Sequence, residues 1–294
     1  MKKILLAYNP VSGSATFKKN LDAIIEKFQQ KNILLTLYRT RAGNFFEEFI
    51  DAVKTSNAEG VIAAGGDGTL HTVINHLMNA KINLPVGIIG SGTSNDFATH
   101  FELDADKTLA AVAENKIHAI DLGLVNGKDY FINVASAGAL TSIAHEVDAR
   151  QKNSLGKLAY YIHGLGEIPK FKAVPLKISA DEKIFELEAF LFLVLNSTAV
   201  AGLKKISPVA KVDDGKLDFI ALKKIRPRKL ISLAQKILSR NFIDDDENIF
   251  YIQAKNFEIN STEKLISDLD GEIGDFLPLK IETLPRALNF FVYI

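Results

Sequence analysis

Residues 65 to 69 read Gly65-Gly66-Asp67-Gly68-Thr69, directly after the apolar run Val61-Ile62-Ala63-Ala64 and directly before Leu70, Val73, Ile74, Leu77 and Met78 at helical spacing. A glycine-rich turn from a strand into a helix aims backbone N–H groups and the positive end of the helix dipole at one point, which suits a phosphate. The aspartate in its middle would repel that phosphate unless a Mg²⁺ stands between them. The pentapeptide therefore points to nucleotide chemistry with a metal, and phosphoryl transfer is the first reading. The plainer alternative is a turn that closes a buried strand, with Asp67 as a helix N-cap. Other phosphate motifs do not occur: there is no G-x-x-x-x-G-K-[ST], and Gly66-Asp67-Gly68-Thr69-Leu70-His71 lacks the last glycine of a dinucleotide fingerprint.

Two more segments have the same build. Asn9-Pro10-Val11-Ser12-Gly13 follows the opening strand and precedes an amphipathic run with Leu21, Ile24, Ile25 and Phe28 on one face. Ser91-Gly92-Thr93-Ser94-Asn95-Asp96-Phe97 follows the apolar run Val86-Gly87-Ile88-Ile89. In a parallel open sheet the loops after strands gather at the carboxyl edge, where ligands bind, so three such loops in one half of the chain describe a nucleotide cleft.

The elements that must position these loops change character near residue 120. Before it, strands at 4–8, 33–37, 61–64 and 86–89 alternate with helical patterns, which predicts a parallel α/β domain. After it, strands at 119–125, 130–135, 176–179, 185–195, 217–222, 250–259 and 281–284 predict a mainly antiparallel β-sandwich, with helices over 154–168 and 228–239. A chain of 294 residues with 47% hydrophobic and 24% charged content is that of a folded globular protein. Lys+Arg and Asp+Glu are equal at 35 each, so bulk charge offers no reason to bind nucleic acid. The absence of cysteine excludes disulfides, thiolate catalysis and Cys-zinc sites, and is compatible with a reducing cytoplasm. The apolar run at 4–7 is too short for a signal-peptide core, and the longest later run, 189–195, is far short of the ~20 residues that cross a bilayer, so no transmembrane segment is expected.

With these residues in view, the chain resembles the soluble bacterial lipid kinases of the diacylglycerol kinase catalytic-domain family, relatives of sphingosine and ceramide kinases. The resemblance covers essentially the whole length and adds further segments: 131–138, 155–160, Ile206-Ser207-Pro208 leading to Asp213-Asp214-Gly215-Lys216-Leu217-Asp218, and Leu269-Asp270-Gly271-Glu272. The GGDGT loop alone is shared with NAD kinases and phosphofructokinases; the TSNDF and DGE segments in this order favour the lipid kinases.

The resemblance implies a Rossmann-like first domain of the NAD kinase and phosphofructokinase kind, residues 1–122 with a returning strand at 286–294, and a sandwich over 123–285 that carries the DGE segment and the lipid site. It implies ATP and Mg²⁺ as cofactors, with nucleotide contacts at Asn9, Pro10, Ser12, Gly13, Thr40, Gly65, Gly66, Asp67, Gly68, Thr69, Thr93, Asn95 and Asp96. It places the catalytic carboxylate at Glu272, with Asp270 as second choice and Asp67 and Asp96 facing it across an interdomain cleft. Taken alone, Asp270-Gly271-Glu272 reads as an acidic surface turn. A structural Mg²⁺ is implied at Lys211-Val212-Asp213-Asp214-Gly215-Lys216, held by the Asp214 side chain and the carbonyls of Lys211 and Lys216, although the same residues also read as a hairpin turn. The expected reaction is transfer of the γ-phosphate of ATP to the hydroxyl of a lipid alcohol, diacylglycerol giving phosphatidic acid, by a cytoplasmic enzyme working peripherally at the inner membrane face. A homodimer is an assembly the resemblance admits.

Other residues are discounted. His71 and His76 are five apart and do not stack as a metal pair, and His145-Glu146 has alanine at 149 where a zincin needs histidine. The run Lys223 to Lys229 reads as a solvated basic edge, or as a basic amphipathic segment that a peripheral enzyme sets on an anionic membrane. Departures from the family pattern are Ser14 for a basic residue, His71-Thr72 for Asn-Glu, and Ala201-Gly202-Leu203 for a glycine-richer turn. The changes at Ser14 and His71 motivate one alternative, a catalytically silent lipid-binding or regulatory homologue; the GGDGT loop and the two-domain plan suit another, an NAD kinase.

Overall fold

The computed structural model describes residues 1–12, 16–41, 43–90, 95–138, 172–200, 202, 206–207, 209–226, 229 and 246–293. The helices expected over 154–168 and 228–239 lie outside these residues, apart from Lys229, which is helical. The chain forms two compact units, Met1–Ile120 with Arg286–Ile294, and Asp121–Pro285.

In the first unit β1 (Lys2–Tyr8), β2 (Ile33–Arg39), β3 (Val61–Gly65) and β4 (Val86–Gly90) alternate with α1 (Thr16–Gln30), α2 (Phe46–Thr55) and α3 (Asp67–Asn79). The strands pair in parallel in the order β4-β3-β1-β2. Every residue of β3 is buried, as its uninterrupted Val-Ile-Ala-Ala-Gly run requires of a parallel strand covered on both faces. Two shorter helices follow, α4 (Asp96–His100) and α5 (Ala105–Ala113), the latter capped by Asp104, which accepts the Lys107 N–H at 2.8 Å. Ile4, Leu6, Phe28, Ile33, Ile62 and Val112 pack with Phe291 in one core cluster. Phe290 meets Phe97 edge-on with ring centres 5.1 Å apart.

The second unit is a mainly antiparallel β-sandwich. The chain enters it within β5 (Ile117–Val125), continues through β6 (Asp129–Phe131), β7 (Val134–Gly138), β8 (Val174–Ala180), β9 (Lys183–Leu195), β10 (Leu217–Lys223), β11 (Ile249–Ala254), β12 (Asn256–Ser261), β13 (Ile266–Leu269) and β14 (Glu272–Phe276), and leaves within β15 (Leu279–Phe291). The pairing order is β14-β13-β7-β9-β8-β12-β15, with β10 joined to β9 and β11, and β5 to β15 and β6. Its core stacks Phe219 between Phe192 and Phe257, with centroid distances of 5.6 and 5.8 Å.

Three expectations are corrected here, and one element is new. The single strand over 130–135 is two, because at Ile132 and Asn133 the backbone N–H groups turn to the Asp270 carboxylate instead of a strand partner. The strand over 250–259 breaks at Lys255, where Asp181 accepts the N–H groups of Lys255 and Asn256; β11 then pairs with β10, and β12 with β8 and β15. The strand expected over 281–284 and the returning strand expected over 286–294 meet in one strand, β15 (Leu279–Phe291), which runs through Pro285. The hairpin of β13 and β14 was not anticipated, although Asp-Gly between short alternating runs is a strong hairpin signal.

Candidate active site

In the first unit, Asn9, Thr40, Gly65–Thr69 and Asn95 all follow the carboxyl ends of parallel strands. The strand order reverses between β1 and β3, the position where open parallel sheets take their ligands. Asn9 and the glycine loop flank that point: the Asn9 N–H donates to Ala64 O at 2.9 Å, and its amide lies 3.4 Å from Thr69 Oγ1. The Asn9 carbonyl and side-chain oxygen accept the N–H groups of Ser12 and Val11, at 3.4 and 3.1 Å, so Pro10 sits in a closed turn. Thr40 is buried and donates both N–H and hydroxyl to Tyr8 O, tying the end of β2 to that of β1.

A Cβ at residue 65 would stand 2.2 Å from Thr69 Oγ1, so only glycine lets α3 start this close to β3. The helix cap is Gly66, without a side-chain bond, and Asp67 is the first residue of α3. That corrects the reading of Asp67 as N-cap: its carboxylate lies in the first turn, where the positive end of the helix dipole favours its negative charge. Asn95 adopts φ +48°, opening α4, and Asp96 behind it is 7% exposed. Gly13, Ser14 and Thr93 lie outside the described residues.

In the second unit the Asp-Gly-Glu segment is the tip of the β13–β14 hairpin. Leu269 pairs with Glu272, leaving Asp270 (φ +54°) and Gly271 (φ +92°) as a two-residue loop with both φ positive, the type I′ geometry that favours Asp-Gly. The Asp270 side chain turns inward and is 6% exposed. Its two oxygens accept the backbone N–H groups of Ile132, Asn133 and Val134, each at 2.9 Å, while its own N–H donates to Val134 O. Around it Asn196 donates to the carbonyls of Asp121 and Ile132, and Asn133 to that of Ala199, so the platform is rigid and buried. Glu272, half-buried, opens β14 directly beyond this anchor.

At the third acidic segment, Asp214 accepts the Lys216 N–H at 3.0 Å and the Gln253 amide at 3.1 Å, and the Gly215 N–H donates to buried Asp121 at 2.7 Å. Beside it is a residue that the matched segment included without giving it a role: Asp218, 1% exposed, which accepts the Tyr251 hydroxyl. Burial pushes the Asp218 carboxyl above the usual carboxylate range, with the charge of Asp214 adding to it; burial and then Asp218 push the Tyr251 hydroxyl up. The signal was a lone carboxylate inside the apolar strand Leu217–Lys223.

The discounted residues stay outside the site. His76 packs against Phe45, Phe46 and Phe49 at 5.0, 5.3 and 5.6 Å, and burial lowers its pKa. Three described lysines of the basic run have partners: Lys224 pairs with Glu188 at 2.9 Å and Lys229 with Glu247 at 3.0 Å, while Lys223 donates to Glu247 O. His145 lies outside the described residues.

Comparison with known proteins joins the two halves. Residues 3–125 match the diacylglycerol kinase catalytic domain, and residues 133–292 match the YegS C-terminal NAD kinase beta sandwich-like domain. A protein of Bacillus subtilis (strain 168) named diacylglycerol kinase is 34% identical over 292 residues, covering 98% of this chain and 96% of its own length. The protein of that name from Staphylococcus saprophyticus is 33% identical over 99% of this chain and 95% of its own. A crystal structure from Bacillus anthracis str. Sterne superposes with a TM-score of 0.84 at 27% identity, covering 99% of this chain and 95% of that one.

Proposed function

The chain belongs to the diacylglycerol kinase catalytic-domain family and is an ATP-dependent lipid kinase; from that premise we propose that it phosphorylates the hydroxyl of diacylglycerol, giving phosphatidic acid, with Glu272 as general base. The observation that carries the assignment is the division of labour in the β13–β14 hairpin. Asp270 already accepts three backbone N–H groups and is a positioning residue, whereas Glu272 follows it on a strand fixed by that anchor. In the proposed step the lipid oxygen forms a bond to the γ-phosphorus as the bond to the ADP oxygen breaks, and the hydroxyl proton passes to Glu272.

The first-unit loops hold the nucleotide. Asn9, the amides of Gly66 to Gly68 and the Thr69 hydroxyl at the start of α3 meet the phosphates, with Thr40, Asn95 and Asp96 around them; the Thr69 N–H is already given to Gly66 O. Asp67, and Asp96 through water, would hold Mg²⁺, which when bound neutralises charge on the phosphates. A second, structural Mg²⁺ fits the chemistry of the Asp214 turn, whose candidate donors, one carboxylate and two carbonyls, are all oxygen. Asp214 and the carbonyls of Lys211 and Lys216 would hold it. Among the described residues no helix is long and apolar enough to cross a membrane, and we place the enzyme at the membrane surface, on the inner face.

The likeness of the second unit to an NAD kinase sandwich favours NAD as a rival acceptor. Labelled ATP offered with diacylglycerol, ceramide, a sphingoid base, monoacylglycerol, phosphatidylglycerol, a polyprenol and NAD separates the readings. Label is expected in phosphatidic acid; label in NAD with none in any lipid overturns the proposal.

A further inference from the structure

Two large apolar side chains stand in water beside the proposed base. Ile273 is 65% exposed and Phe276 47%, both on β14, which among the described residues pairs only with β13. In regular alternation, residues three apart point to opposite faces. Here the register steps from Asp268↔Ile273 to Ile266↔Phe276, two residues on β13 against three on β14. This bulge brings Ile273 and Phe276 together on the face of Asp268 and Ile266. The other face turns inward: a Cβ on Gly274 would stand 2.4 Å from Ser267 Oγ and 3.0 Å from the buried Leu269 side chain. Lys264 completes the outer strip, its ammonium 4.4 Å from the centre of the Phe276 ring.

Isoleucine, phenylalanine and lysine on one exposed face are what an interfacial anchor needs, with apolar groups to enter the acyl boundary and a cation for anionic headgroups. Several other lysines of this unit are engaged by carboxylates, Lys128 with Asp275 at 2.8 Å, Lys172 with Glu263 at 2.7 Å and Lys224 with Glu188, whereas Lys264 lies over an aromatic ring. Ile273 is next in sequence to Glu272, which pairs with buried Leu269 on the opposite face, so the strip forms the back of the short strand that carries the proposed base.

We propose that the outer face of the β13–β14 hairpin, carried by Ile273, Phe276 and Lys264, is a docking strip for an anionic lipid bilayer. The inference rests on the lipid kinase reading, and in it the bulge serves to point both apolar side chains at the membrane. Docking sets the depth of the hairpin tip.

The test is co-sedimentation with vesicles of equimolar phosphatidylglycerol and phosphatidylcholine. Ile273→Ser/Phe276→Ser should weaken vesicle binding by ~10-fold or more, since two apolar side chains no longer leave water. Ile273→Leu/Phe276→Trp should keep it, and Lys264→Glu should weaken binding to these vesicles while leaving binding to pure phosphatidylcholine unchanged. Turnover of vesicle-borne diacylglycerol should fall with binding, and turnover of short-chain diacylglycerol dispersed in water should not. Equal vesicle binding by wild type and the serine pair overturns the docking strip, as does a serine pair that changes only oligomeric state, which would make the strip a contact between copies. Failure of the wild type on short-chain diacylglycerol, with vesicle binding still dependent on the strip, would instead fault the acceptor assignment.

Discussion

Asp67 and Asp270 both lie in glycine-bearing turns at strand ends, and the two units use the carboxylate differently. In the first unit the backbone leaves β3 through glycines and enters α3 at once, so Asp67 is held half-buried in the first helical turn, beside the point where strand order reverses. In the second unit the chain folds back on itself, and Asp270 is turned inward onto the N–H groups of Ile132, Asn133 and Val134. An acid at a helix start can serve charge on a ligand; an acid that accepts three amides serves the fold. In the proposed reaction the chemistry falls to its neighbour, Glu272.

The comparison is broken or sharpened by mutation. The largest effect is expected for Glu272→Gln, with kcat lower by ~10²- to 10⁴-fold, as for loss of a general base. Its unfolding free energy should move by no more than about 0.5 kcal/mol, since a half-exposed strand-end side chain keeps its shape. Kinetics beside a urea titration checks both, and full activity removes Glu272 from the base role. Asp67→Ala should lower turnover at saturating ATP by ~10²-fold or more, in line with loss of a key electrostatic element, with a folded protein by circular dichroism. Near-normal turnover would falsify the phosphate-loop assignment.

Asp270→Ala inverts the pattern. It strips an acceptor from three buried N–H groups and should cost about 3 kcal/mol or more of stability, with any loss of activity following from the displaced hairpin. If instead the fold is unharmed and turnover collapses, Asp270 is the base. Asp214→Ala should abolish the rise in Tm that Mg²⁺ produces in the wild type, because an ion bound only by the folded state stabilises by mass action. A persisting rise counts against that site.

The smallest expected effect is on pH dependence in the first unit. Burial lowers the pKa of His76, with His71 adding, and lowers that of His100. A histidine whose folded pKa lies below its unfolded value binds its proton first in the unfolded chain. Stability is therefore undiminished above about pH 6.5 and declines as pH falls below it, until the folded pKa is passed. His76→Phe should flatten part of that decline in Tm-against-pH curves; an unchanged slope would mean that His76 already titrates normally.

The parallel half was readable because β1, β3 and β4 are built on continuous apolar runs, buried on both faces, and its helices carry a clear 3.6-residue period. The antiparallel half was readable as a class, while its breaks were not. The interruptions at Ile132-Asn133 and at Lys255 are made by carboxylates distant in sequence, Asp270 and Asp181, and no local pattern reports them. The same holds for the site. The glycine loop announces its geometry in its own residues, but the role of Asp270 depends on amides more than a hundred residues earlier. The β13–β14 hairpin did have a local signal in Asp-Gly, which the weight given to Glu272 obscured.

The final strand has a consequence for the order of synthesis. Phe290 and Phe291 are fully buried in the first unit, and the ring of Phe291 comes within 2.7 Å of where a Cβ on Gly60 would stand. Residues 1–120 therefore leave the ribosome with a hole in their core, which only residues 286–294 fill, after the whole second unit has been made. Domains that close as they emerge are shielded early; here the first unit waits for the last part of its core. Nascent chains arrested before residue 285 should stay open to protease across β1 and β3, and protection should appear once residue 291 has cleared the exit tunnel. Protection already complete in the shorter chains would show that the aromatic pair is dispensable for closure.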